Sequence, residues 1–113
     1  MVDQFGAHID GPTIGDNLGN SIFAKTGNGI VYDGAIRDIK GLKEIGSFTS
    51  FFRSYHPSHH LNKPNGRLNT TLIGINTPTR IGMATVIPGD VVLGRDGGVI
   101  FICLLYTSDA ADE

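Results

Sequence analysis

The chain has 113 residues, a formal net charge of −2, 40% hydrophobic residues and 16 glycines. This length suits one domain with a modest core, and this composition is typical of a turn-rich globular protein rather than a disordered one. The charge is close to neutral and there is no basic stripe. No apolar run reaches the roughly 18 to 20 residues of a membrane span, so we expect a cytoplasmic protein that binds neither nucleic acid nor membrane.

The two ends of the chain differ in character from its middle. Residues 103–113, CLLYTSDAADE, continue none of the patterns before them, and we interpret them as a tail derived from a sequencing adapter and not part of the fold. At the other end, residues 2–4 have the composition of the last part of a strand, without a lead-in. We therefore interpret residues 1–102 as a partial domain that is incomplete at both ends.

A loop and a helix are the first elements that the sequence predicts. Residues 5–13 contain glycine and proline, which is a loop composition. Apolar residues then recur at helical spacing over residues 17–26. Asp16 is a suitable N-cap for this helix and Gly27 a suitable stop residue, so both ends of the helix are marked in the sequence.

A short strand and a second helix are predicted next. Residues 30–32 are β-branched and aromatic, which predicts a buried strand, and Asp33-Gly34 predicts the turn that closes it. Apolar residues at every third position then predict a helix over residues 38–45. The first half of the chain therefore alternates strand and helix, which indicates the α/β class.

From residue 48 onward the sequence predicts strands and loops. Phe51 and Phe52 indicate a buried strand over residues 48–53, and the polar stretch 54–69, with two prolines, indicates an exposed loop. The remaining segments are short and β-rich, and glycine and Pro-Gly turns separate them. The predicted strands are residues 71–75, 79–81, 84–86, 91–93 and 99–102.

The spacing of three charged residues, Asp16, Arg37 and Asp38, predicts a pocket. Twenty residues separate Asp16 from Arg37, which is enough for one helix and one strand. In such a unit the start of the helix and the end of the strand can share one sheet edge, where open α/β sheets bind ligands. We therefore expect the three side chains to converge at this edge.

The same residues also have purely structural interpretations. As a helix N-cap, Asp16 contributes about 1 kcal/mol without any ligand. Arg37 and Asp38 are equally explained by a surface ion pair of little energetic value. On an extended backbone, however, their side chains diverge, which suits Arg37 to a carbonyl or carboxylate oxygen and Asp38 to a divalent cation. The residues alone leave both interpretations open.

The start of the first helix offers a further feature for ligand binding. Gly15 allows close backbone approach, and the N–H groups of Asn17, Leu18 and Gly19 lack acceptors within the helix. Such groups suit a carboxylate, provided that the Asp16 side chain turns aside or holds a water or a metal.

Three separated motifs resemble the RraA-like superfamily, named for the regulator of ribonuclease activity A. They are GDNLGNSI, YDGAIRDIKGL and GINTPTRIGMATVIPGDVVLGRDGGVIFI, and they occur in the family's order over nearly all of residues 1–102. The resemblance implies a swivelling β/β/α domain that assembles as a homotrimer or hexamer. Members are often named dimethylmenaquinone methyltransferases, but no glycine-rich nucleotide loop supports methyl transfer here.

The resemblance also implies an activity. Enzymatic members share an Asp, twenty residues, Arg-Asp signature that the ribonuclease regulators lack in full, and here it is intact. This implies a divalent-metal-dependent lyase on 2-keto acids, of the 4-hydroxy-4-methyl-2-oxoglutarate aldolase or oxaloacetate decarboxylase type, which forms pyruvate through a metal-stabilised enolate. No lysine in these motifs suggests a Schiff base. The alternative is a non-catalytic interaction module that regulates a ribonuclease.

The resemblance assigns a role to each site residue. Asp38 would bind Mg²⁺ or Mn²⁺, largely through waters, and Asp16 would position a metal-bound water. Arg37 would hold the keto oxygen of the substrate. The backbone near Asn17 and Leu18, approached closely through Gly15, would take the substrate carboxylate.

Overall fold

The computed structural model describes residues 2–3, 14–57 and 72–104, which form a mixed α/β fold, as the sequence predicts. The elements, in chain order, are β1 (Val2–Asp3), α1 (Asp16–Thr26), β2 (Ile30–Ile36), α2 (Ile39–Lys43), β3 (Ser50–Tyr55), β4 (Thr79–Ile81), β5 (Ala84–Val86), β6 (Val91–Arg95) and β7 (Gly98–Ile102). The first three strands form a parallel sheet in the order β1-β2-β3, and the last four form two antiparallel hairpins. The predicted loop over 5–13 and most of the one over 54–69 lie outside the described residues.

Helix α1 begins one position earlier than an Asp16 cap requires. Gly15 occupies the N-cap position with an extended backbone (φ −129°, ψ −169°), Asp16 is the first helical residue, and the N-cap residue itself supplies no side-chain hydrogen bond. The prediction of Asp16 as N-cap is therefore wrong. At the other end, Gly27 is left-handed (φ 67°) and its N–H donates to the carbonyl of Phe23, which confirms the predicted stop.

Strand β2 is the central strand of the sheet, and all seven of its residues are buried. It continues through Asp33-Gly34, so the predicted turn at this dipeptide is wrong. The pairing with β3 shifts between Tyr32 and Ala35, which indicates a β-bulge that accommodates the extra residue. A strand that is covered on both faces normally consists of an unbroken run of apolar residues. The acidic residue interrupts that run without ending the strand.

Helices α1 and α2 cover one face of the sheet. Helix α2 ends at Lys43, two residues short of the prediction, yet Ile45 beyond it is still buried. Phe23 of α1 meets Phe48 edge to face at a centroid distance of 6.3 Å. The buried residues of this core are Ile14, Ile30, Tyr32, Ile36, Leu42 and Ile45. Neither helix has the length and apolar character of a membrane span within the described ranges.

The β-rich half agrees with the sequence in its hairpins but not in every strand. Strands β4 and β5 have the predicted bounds, whereas β6 and β7 are slightly longer than predicted. Residues 72–78 form no strand, so that part of the prediction is wrong. Strand β3 pairs only with β2 in the described sheet, and this edge position leaves Phe51 half-buried and Phe52 39% exposed. The predicted burial of Phe52 is therefore wrong.

Candidate functional site

The segment that enters α1 runs beside the segment that leaves β2. Ile14 forms a parallel bridge with Ile36, and the N–H of Arg37 donates to the Ile14 carbonyl at 3.0 Å. Both isoleucines are 1% exposed, so their burial stabilises the pairing. Residues 15–16 therefore lie beside residues 37–38, at the carboxyl end of β2.

Asp38 connects the three charged residues. Its Oδ2 atom accepts a hydrogen bond from the Asp16 N–H at 3.4 Å and lies 3.4 Å from Nε of Arg37. The Arg37 and Asp38 side chains are 26% and 40% exposed, so the group lies at the surface. The Asp38 carboxylate thus stands at the N-terminus of α1, where the helix dipole favours a negative charge.

The expected divergence of the Arg37 and Asp38 side chains is wrong. It assumed that the extended backbone of β2 continues through both residues. Asp38 instead has a left-handed conformation (φ 57°, ψ 42°), which turns the chain from β2 into α2. Aspartate tolerates this conformation better than most residues because its short polar side chain interacts locally. The turn brings the carboxylate back beside the guanidinium, and the two form an ion pair.

Two glycines lie against this group of charges. A Cβ atom at Gly15 would lie 2.5 Å from Oδ2 of Asp38 and 3.1 Å from Nε of Arg37. A Cβ atom at Gly41 would lie 2.6 Å from Oδ2 of Asp16. The Asp16 carboxylate is therefore turned toward α2, which meets the condition that Asp16 turns aside from the start of its own helix.

The first turn of α1 has backbone donors that the helix does not use. The first helical bond that we observe runs from the Gly19 N–H to the Gly15 carbonyl at 2.9 Å. The prediction of Gly19 as a third free donor is therefore wrong, because its N–H is already bonded to Gly15. The N–H groups of Asn17 and Leu18 precede this bond and so have no acceptor within the helix. Both residues are exposed. A carboxylate placed at this turn would find two backbone donors.

The donor set fits a Mg²⁺ or Mn²⁺ ion that keeps several waters. In the described ranges, no three or more His, Cys, Asp or Glu side chains form a group of metal-ligand type, so the local acids are Asp16 and Asp38 alone. Magnesium is usually bound through one or two carboxylates, with waters and substrate oxygens completing the octahedron. Both contacts of the Asp38 carboxylate in the described chain go to Oδ2, which leaves Oδ1 for an ion or its water.

A second charged cluster, which the sequence interpretation missed, lies on β2 itself. Asp33 is 4% exposed, pairs with Nε of Arg53 on β3, and accepts a hydrogen bond from the Gly82 N–H at 2.7 Å. The Arg53 hydrogen bond is the main reason that the pKa of Asp33 lies below its ordinary value of 3.8, and burial opposes it by raising the pKa. The Gly82 hydrogen bond and the charges of Arg53 and Arg80 lower it further.

This second cluster links the parallel sheet to the β4–β5 hairpin, because Gly82 lies in the turn of that hairpin. The sequence feature that could have identified this cluster is an acidic residue within an apolar strand. A buried carboxylate requires a partner, so such a residue indicates that one is present in the fold. The Asp33-Gly34 dipeptide also has the composition of a turn, and this second pattern obscures the first.

A family model described as RraA-like, Aldolase/RraA, matches residues 1–101. This range includes Asp16, Arg37 and Asp38. No solved structure matches the chain.

Proposed function

The chain belongs to the RraA-like family, and from this membership and the geometry of the site we propose that it is a divalent-metal-dependent lyase acting on 2-keto acids. The family covers both aldolase or decarboxylase members and regulator members. One observation favours the lyase. A guanidinium, a carboxylate and the start of a helix converge where β2 ends, which is where α/β sheets bind ligands.

Each residue of the site has a task in this proposal. Arg37 contacts Asp38 through Nε, so in the described chain its two terminal nitrogens remain for the keto oxygen of the substrate. The Asn17 and Leu18 N–H groups take the substrate carboxylate, and Gly15 keeps the backbone accessible. Asp38 would hold Mg²⁺ or Mn²⁺ through waters, and Asp16 would position one of these waters. When bound, the ion would supply positive charge where negative charge develops on the substrate.

The reaction breaks the bond between C3 and C4 of the keto acid. In 4-hydroxy-4-methyl-2-oxoglutarate the 4-hydroxyl loses its proton, C4 becomes the carbonyl of one pyruvate, and the electron pair of the bond passes into the enolate of a second. In oxaloacetate C4 leaves as CO₂. Either enolate then takes a proton at C3 to give pyruvate. Arg37 stabilises the charge that develops on the keto oxygen.

Asp38→Asn is expected to lower the metal-dependent activity by about 10²-fold or more. A loss of this size is typical when one group that helps to stabilise the charge of the transition state is removed. Asparagine tolerates the left-handed backbone that Asp38 adopts, so the fold should persist. The measurement is pyruvate formation from oxaloacetate during a Mg²⁺ titration, with chelation by EDTA as the metal-free reference. The matched control is Asp96→Asn, in the exposed turn between β6 and β7.

Equal activity of Asp38→Asn and the wild-type protein across the titration would contradict the assigned metal role. If the wild-type protein forms no pyruvate from either keto acid at any metal concentration, the lyase proposal fails. A stable complex with a ribonuclease that Asp38→Asn leaves intact would then favour the regulator members of the family. We also propose that the protein is cytoplasmic, which fractionation of the expressing cells tests. We propose further that it assembles as a homotrimer or hexamer, which light scattering of the purified protein tests.

A further inference from the structure

We propose that Gly41 is a positioning residue for the Asp16 carboxylate, an inference that rests on the proposed lyase function. Gly41 lies in α2, three residues after Asp38, whereas Asp16 begins α1. The two are far apart in the chain but in contact in the fold. The absence of a side chain at position 41 is what allows Asp16 to lie where it does.

The contact is close and involves Asp16 alone among the nearest atoms. A Cβ atom at Gly41 would meet Oδ2, Cβ and Cγ of Asp16 at 2.6, 2.8 and 3.1 Å. Distances below 3.0 Å are too short for real Cβ contacts, so something must move. A change of rotamer would move the oxygen but not the Cβ atom of Asp16. An added methyl group therefore displaces the whole Asp16 residue or the segment that carries position 41.

Helix α2 has little freedom to retreat from this contact. Leu42, the next residue, is 4% exposed, and Ile45 is 7% exposed, both within the main core. The Leu42 N–H also donates to the Asp38 carbonyl at 2.9 Å. By contrast, Asp16 is only half-buried, at the first position of its helix. We therefore expect Asp16, rather than helix α2, to move when a side chain is added at position 41.

The contact has a counterpart on the other segment, which makes the arrangement reciprocal. Gly15, which directly precedes Asp16, lies against the carboxylate of Asp38. Gly41, which follows Asp38, lies against the carboxylate of Asp16. Each acidic side chain therefore contacts a glycine of the opposite segment. The relative position of the two carboxylates depends on the absence of a side chain at both glycines.

Gly41→Ala is expected to lower kcat for pyruvate formation by about 10-fold to 10²-fold. This is the usual effect of displacing a group of the active site, here Asp16, by about 1 Å. The matched control is Gly97→Ala, since a Cβ atom there meets nothing within 4 Å and its backbone is not left-handed. A second readout is the NMR shift of the Asp16 carboxyl carbon, assigned with Asp16→Asn. This resonance should move in Gly41→Ala and stay in place in Gly97→Ala.

A double-mutant cycle separates positioning from general loss of stability. In an Asp16→Gly background the added methyl has no side chain to displace, so Gly41→Ala should change the melting temperature by less than in the wild-type background. Should Gly41→Ala alone fail to fold, the double variant is expected to fold. An equal loss in both backgrounds, or an unmoved Asp16 resonance in Gly41→Ala, overturns the inference.

The failure of the inference and that of the lyase proposal are distinguishable. Absence of pyruvate formation by the wild-type protein rejects the activity, while the NMR shift and the melting temperatures still decide whether Gly41 positions Asp16. Conversely, an active enzyme whose kcat is unchanged by Gly41→Ala keeps the activity and rejects the positioning role.

Discussion

Arg37→Ala is expected to reduce pyruvate formation by about 10² to 10³, the usual cost of removing one donor that stabilises developing negative charge. The loss should fall mainly on kcat, because the guanidinium contributes most when the keto oxygen becomes negative in the transition state. Arg37→Lys should recover little, since an ammonium keeps the charge but lacks the planar fork of donors. Steady-state kinetics with oxaloacetate and with 4-hydroxy-4-methyl-2-oxoglutarate measure both variants.

Arg95→Ala is the control for this prediction. Arg95 is exposed on the β6–β7 hairpin and has no ion pair among the described residues, so its removal should leave kcat within about twofold of the wild-type value. If Arg37→Ala and Arg95→Ala have the same kcat, Arg37 does not act on the reacting atoms. A higher KM with unchanged kcat would instead assign Arg37 to substrate binding alone.

Asp33→Asn is expected to lower the free energy of unfolding by about 2 kcal/mol, within the range for hydrogen bonds to charged groups. The substitution removes the charge that pairs with Arg53 and weakens the acceptor for the Gly82 N–H. The expected loss lies in the middle of this range because Arg53 is about half exposed and solvent screens part of the pair. Urea unfolding measures the change, and Asp96→Asn, in an exposed turn, should stay within about 0.5 kcal/mol of the wild-type protein.

The same substitution predicts a pH dependence with a definite sign. The folded-state pKa of Asp33 is lowered, chiefly by its hydrogen bond with Arg53. Its contribution is therefore present above the ordinary pKa of 3.8 and lost as the pH falls through the folded-state value. The stability difference between the wild-type protein and Asp33→Asn should be constant near neutral pH and shrink below pH 3.8. A difference that widens on acidification would rule out this account of the pair.

The sequence predicts the location of the candidate site because that location depends on local periodicity. The spacing of Asp16, Arg37 and Asp38 corresponds to one helix and one strand, and these are marked by the apolar pattern and by Gly27. Adjacent parallel segments then bring their ends together, as the Ile14–Ile36 bridge does. The short β-hairpins are predictable for the same reason.

What the sequence does not predict depends on contacts between distant segments. The left-handed turn at Asp38 is not marked by a glycine, so the Arg37–Asp38 ion pair could not be expected from an extended strand. The contact of Gly41 with Asp16 arises only when two helices pack together. Asp33 resembles a turn residue because its partners, Arg53 and Gly82, are supplied by elements far along the chain.

The bulge in β2 lies between the start of this strand and the candidate site. Between Tyr32 and Ala35 the strand takes three steps while β3 takes only two, from Phe52 to Ser54. Pairing resumes at Ala35, so the surplus residue is absorbed locally. Beyond it, Ile36 keeps a regular partner on β3 and also forms the bridge to the segment that enters α1. The irregularity is thus confined to the middle of the strand, and regular pairing supports the end that carries the candidate site.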